Sequence, residues 1–133
     1  MGPLAFERRG GLIVVPVIVW AHGIPSETLH FALDTGTATS ILDVNQALRL
    51  GLRPDHALRC SRVRSMIGEE FGYVVRAPHI SSLGWIRDDF EIACHSFPPG
   101  DDIDGLLGDD FFAGLRLVLD YGAGTVELTE SLA

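Results

Sequence analysis

The run LIVVPVIVW, residues 12–20, does most to limit what this chain can become. Val14, Val15, Val17, Ile18 and Val19 branch at Cβ, which restricts χ1 and suits a pleated strand better than a helix. Glu7-Arg8-Arg9 before it gives the start of the chain some look of a signal peptide. Pro16 interrupts the run, however, and no small-x-small cleavage site follows. The run is also too short to span a bilayer. The expectation is a buried strand with Pro16 at an edge or bulge, in a soluble, cytoplasmic protein with no membrane partner.

Strand signals continue downstream. HGIPSE (22–27) reads as a turn and TLHFALD (28–34) as a second strand. Asp43 is a suitable N-cap, Val44, Ala47 and Leu48 follow at helical spacing, and Gly51 closes that short helix. Residues 58–80 read as a long hairpin with its tip at IGEEFG (67–72), and Leu83-Gly84-Trp85 as a turn before the strand 86–95. IDGLLGDDFF (103–112) is an apolar pair between glycines and then a helix start, which Asp109 or Asp110 can cap. LRLVLDYGAGTVELTE (115–130) is a hairpin. Seven or so strands and two short helices make an all-β domain.

The 133 residues fit one domain, 1–133, and 47% of them are hydrophobic, enough for a core. Net charge is −8 and every cation is an arginine, with no basic patch interleaved with aromatics. That excludes nucleic acid as a partner. Cys60 and Cys94 lie far apart; they could form one disulfide, but read rather as two free thiols of a reducing compartment. Cys94-His95 lacks the neighbours a zinc site needs. The acidic run DDIDG (101–105) lacks the distant glutamate of a calcium loop, position twelve being Phe111, and reads as solvated. No metal and no cofactor is expected.

Chemistry is concentrated at FALDTGTATSILD (31–43). An apolar strand delivers the carboxylate of Asp34, and Thr35, Gly36, Thr37, Ala38, Thr39 and Ser40 follow. A carboxylate placed there is costly unless it is hydrogen-bonded, and the small hydroxyl residues after it are suited to hold a buried anion. An aspartate at a strand end is often only a turn former or cap. LDYGAG, at Asp120, echoes the pattern, but Tyr121 replaces the small hydroxyl residue and the surroundings make it a hairpin turn.

LDTGTATSILD and IDGLLGDDFF together resemble the retropepsin-type aspartic proteases, single-lobed relatives of pepsin. The first motif of that family is Asp34-Thr35-Gly36-Thr37 here, and the second is Leu106-Leu107-Gly108. The short helix after the first and the DGLLG-x-x-F form of the second are closest to bacterial single-domain members. The resemblance runs from about Leu12 to Leu128 and implies the acid protease fold, a closed β-barrel with two short helices.

It also implies a mechanism. Two carboxylates close together cannot both ionise comfortably, so the pair retains one proton and activates a water held between them. This chain has one such motif, so the resemblance implies a two-fold homodimer that places Asp34 opposite its copy, with a polypeptide as substrate. Thr35 is expected to be buried at the axis. Gly36 is expected to support the carboxylate through its N–H, and Leu106, Leu107 and Gly108 to pack beneath the loop. A hydrogen bond from Thr37 to Asp34 would give a more acidic optimum than an alanine there. The flap would be the hairpin with Met66, Ile67, Gly68 and Phe71 over an extended peptide, and Glu69 and Glu70 at its tip would disfavour acidic substrates. The rival readings are a non-catalytic retropepsin-fold module that dimerises or binds peptides, and a domain of a larger chain.

Overall fold

A computed structural model describes residues 2–65, 68–98, 100 and 102–132. The strands are β1 (Leu4–Ala5), β2 (Glu7–Arg9), β3 (Leu12–Ala21), β4 (Ile24–Pro25), β5 (Leu29–Leu33), β6 (Ile41–Asp43), β7 (Arg59–Ser65), β8 (Gly68–Ser82), β9 (Trp85–His95), β10 (Gly105–Leu107), β11 (Leu115–Asp120) and β12 (Thr125–Glu130). Two short helices are α1 (Val44–Arg49) and α2 (Asp109–Phe112). There are more strands than the sequence reading expects, because several are too short to give a pattern of their own.

The run that constrains the chain is the hub of the fold. β3 pairs with β2 through Leu12–Val14, with β5 through Val14–Val17, with β8 through Val17–Trp20 and with β4 at its end. Pro16 falls where the neighbour changes from β2 to β8, so its missing N–H costs no ladder bond there. Ser82 fills the gap by donating its hydroxyl to the Pro16 carbonyl at 2.7 Å. Because β3 touches both β5 and β8, the path β3-β5-β10-β6-β9-β8 closes into a ring. β7 lies outside the ring as an edge strand on β8. A separate sheet of β1, β12 and β11 holds both ends of the described chain.

Inside the ring, Val15, Val17, Val19, Phe31, Leu42, Ile80, Ile92, Leu107 and Phe111 form the main core. Each such side chain, fully buried, contributes about 1.5–3 kcal/mol. A smaller cluster of Ile41, Val74 and Ala93, with Val63, Phe97 and Leu106 packed on it, lies on the other face of the β7–β8–β9 sheet. Among the described residues no helix is long and apolar enough to cross a membrane.

Local signals act largely as the sequence suggests. The Asp43 carboxylate caps α1 by accepting from Asn45 N–H, and Gly51, at φ +78°, turns the chain after it. Asp120 is a turn former: its side chain accepts from Ala123 N–H and its carbonyl from Gly124 N–H. The cap of α2 is different. Gly108 holds the N-cap position without a side-chain bond. The helix owes its place to Phe111 and Phe112, both buried, with Phe111 edge-on to Phe90.

Candidate active site

Asp34 is the first residue after β5, and strand β10 positions it. β10 lies parallel to β5, with Leu106 beside Ala32 and Leu107 beside Leu33, and antiparallel to β6 on its other side. The second motif therefore threads between the strands that enter and leave the Asp34 loop. Asp34 N–H donates to the Leu107 carbonyl at 2.9 Å. Gly36 N–H donates to Asp34 Oδ1 at 2.9 Å, and Thr37 N–H to the Asp34 carbonyl at 3.4 Å. Asp34 is half-buried, whereas Thr35 and Gly36 stand exposed at the crest of the loop in the single chain.

The two motifs pack with no room to spare. A Cβ on Gly108 would sit 2.8 Å from both the carbonyl and Cγ2 of Thr37, and one on Gly105 would sit 2.4 Å from the Ile41 carbonyl. Gly105 and Gly108 are glycines because another loop passes there. Leu107 is fully buried beneath the loop, and Leu106 reaches the smaller apolar cluster.

Thr37 differs from expectation. Its hydroxyl donates to the Thr39 carbonyl at 3.0 Å, so it braces the loop and gives nothing to Asp34. The anion that the small hydroxyl residues serve is Asp110. Ser40, fully buried, donates its hydroxyl to Asp110 Oδ1 and its N–H to both oxygens. The same Ser40 oxygen accepts from Gly108 N–H at 2.9 Å. Ser40 and Asp110 were not among the expected site residues. The available signal was the second acidic residue after Gly108, which reads equally well as a helix cap.

The acidic run is not solvated throughout. The Asp104 carboxylate accepts from His30 N–H at 2.8 Å and from Gln46 Nε2 at 3.0 Å, tying β5 to α1. Among the described residues no group of acidic, histidine and cysteine side chains has the makings of a metal site. Cys60 and Cys94 are both free thiols, the first exposed and the second buried.

The hairpin turns earlier than the sequence suggests. Ser65 pairs with Gly68, so Glu69, Glu70 and Phe71 lie on the rising arm, opposite Arg64, Val63 and Arg62. The ion pair of Glu69 with Arg64, at 3.1 Å, fixes that register. Gly68 opens β8 at φ +143°, and Phe71 is exposed. Met66 and Ile67 lie outside the described residues.

Between the Asp34 loop and this hairpin runs a cleft of about 430 Å³. Thr37, Ala38 and Thr39 form one wall and five consecutive residues of β7, Arg59 to Val63, form the other. Ile41, Val74 and Ala93 line it between them. An edge strand beside a cleft offers backbone donors and acceptors to an extended chain.

A sequence model described as aspartyl protease matches residues 17–111, both motifs included. The chain belongs to the aspartyl protease family. Its fold is retropepsin-like. It is similar to a retropepsin-like aspartic protease from Rickettsia conorii, with a TM-score of 0.71 at 15% identity, over 97% of this chain and 91% of that one. It is also similar to the retroviral protease-like domain of Ddi1 from Leishmania major, with a TM-score of 0.59 at 16% identity, over 88% of this chain and 93% of that one. No curated protein matches the chain. At these identities the structural likeness carries the fold, and the family rests on the matched sequence.

Proposed function

We propose that this member of the family is an aspartic endopeptidase that works as a symmetric homodimer, with Asp34 of each copy sharing one water. The observation that carries this reading is the tethering of Asp34. Leu107 fixes its backbone from below, Gly36 N–H aims its carboxylate, and the crest residues Thr35 and Gly36 stand exposed where a second copy would cover them. Within one chain, the Asp110 carboxylate, which reaches the same loop, is committed to Ser40. A second copy would supply the second carboxylate of the dyad.

In that dimer the two carboxylates hold one proton between them. The ionised one takes a proton from the water, which attacks the scissile carbonyl. The protonated one hydrogen-bonds the carbonyl oxygen as charge develops there, and the proton taken from the water then passes to the amide nitrogen as the C–N bond breaks. The peptide lies extended in the cleft, paired to the edge of β7, with Gly68 of the hairpin arm above it, while Phe71 points to the reverse face of the hairpin. Thr35, Gly36, Thr37, Leu106, Leu107 and Gly108 hold the aspartate in place.

Sedimentation and hydrolysis of unfolded casein at acidic pH test the reading together. A dimer whose activity is abolished by Asp34→Asn, with the dimer kept, is the expected result. A strict monomer, or an Asp34→Asn chain that still cleaves, would overturn it. A dimer that binds peptides without cleaving them would make the chain a binding module.

A further inference from the structure

The chain is acidic overall, yet among the described residues its cleft is lined by two arginines, Arg59 and Arg62, and by no carboxylate. The alternation of β7 separates their roles. Arg59 stands opposite Val74, and Val74 packs with Ile41 and Ala93 along the cleft, so the Arg59 side chain rises on the cleft face. Arg62 is opposite Phe71 on the reverse face, beside Arg64 and Glu69.

Arg59 has capacity to spare. Its Nη1 meets Glu91 Oε1 at 2.7 Å, but Glu91 also serves Arg76 at 3.4 Å, so one carboxylate answers two guanidiniums. A guanidinium carries five N–H donors and recognises a second carboxylate readily. Glu70 is the acidic group of the hairpin that shares this face, opposite Val63. Val63 is four residues from Arg59, about 13 Å along a strand. That exceeds the distance over which exposed charges act at ordinary salt, about 8–10 Å. Glu69, which the sequence places over the cleft as a deterrent to acids, is on the other face with Arg64.

We propose that this cleft receives an acidic substrate side chain, a glutamate of an extended peptide. Its methylenes lie against Ile41, Val74 and Ala93, and its carboxylate meets the Arg59 guanidinium. The inference rests on the endopeptidase reading and adds to it a substrate class: peptides with glutamate at one fixed place beside the scissile bond.

Internally quenched decapeptides of casein sequence, with glutamate or glutamine at each position in turn, test it. One position should show kcat/KM about fivefold higher for glutamate, the upper range of an exposed ion pair. The preference should fade in 0.5 M salt and below about pH 4, where glutamate becomes neutral. Arg59→Gln should bring the ratio to near one. Arg62→Gln removes the same charge from the reverse face and should keep most of the preference. Equal losses in the two variants, an unchanged ratio in Arg59→Gln, or no glutamate-preferring position would overturn the proposal. If nothing is hydrolysed, the endopeptidase reading fails, and binding of fluorescein-labelled versions of the same peptides decides the cleft by itself. A similar ratio of Kd values, lost in Arg59→Gln, supports it, and equal Kd values overturn it.

Discussion

Ser40 gives both of its donors to Asp110: its hydroxyl lies 2.6 Å from Oδ1, and its backbone N–H 3.0 Å from each oxygen. Through the bond from Gly108 N–H to the same hydroxyl oxygen, this pair locks the far end of the Asp34 loop to the second motif.

Asp110→Ala leaves the buried Ser40 with two donors and no acceptor, which costs about 3 kcal/mol. Asp110→Asn keeps one acceptor oxygen and should cost about half as much. Urea unfolding of the two variants checks the order, and equal losses would mean that the contact is not what holds the loop.

Gly105→Ala pushes a methyl group against the Ile41 carbonyl and the Phe31 ring, neither of which can withdraw from the core. A loss of about 3 kcal/mol is expected in thermal unfolding. Gly108→Ala presses on Thr37, in the loop itself. It should cost less stability than Gly105→Ala but lower kcat by about tenfold or more through displacement of Asp34. A fully active Gly108→Ala chain would contradict this.

His95 is buried at the base of the hairpin, with Nε2 2.8 Å from the Ser61 hydroxyl and Nδ1 without a partner among the described residues. Burial pushes its pKa below the ordinary imidazole range and outweighs the opposite pull of Glu70. The folded chain therefore refuses a proton that the unfolded chain accepts near pH 6.5. Stability from this source is complete above that value and declines as pH falls through it. The difference in urea midpoint between wild type and His95→Gln, followed from pH 8 to 5, should move in that sense. A difference that does not change with pH would show that His95 is not the group responsible.

Burial pushes the Cys94 thiol up to about 12, while Cys60 is exposed. The native chain should react with one equivalent of a disulfide reagent, at Cys60, and with a second only when unfolded. The unfolded thiol ionises near pH 8.5 and the folded one does not. Stability should therefore fall as pH rises above that point, less so in Cys94→Ala. Rapid reaction of both thiols in the native state would contradict the burial.

Much of this was legible in the sequence because it is written in contiguous residues. The β-branched run became the central strand, Asp43 and Gly51 bounded a helix, and two motifs met at one loop. What was not legible depends on residues far apart in the chain. The hydroxyls after Asp34 were recognised as suited to an anion, but the anion is Asp110, which only the threading of β10 brings within reach. The hairpin tip was misplaced because two glycines mark a turn less firmly than the pairing of Arg64 with Glu69 sets a register. Asp104 looked solvated because its partners, His30 and Gln46, precede it by more than fifty residues.

The slot between β5 and β6 has a consequence for synthesis. On the ribosome the Asp34 loop emerges first, and the strand that fills the slot comes some seventy residues later. Until Leu107 has left the exit tunnel, Asp34 N–H has no native acceptor and the loop has no fixed shape. Contacts this distant in sequence form late. In a nascent chain the loop that carries Asp34 therefore stays open until the second motif has been made.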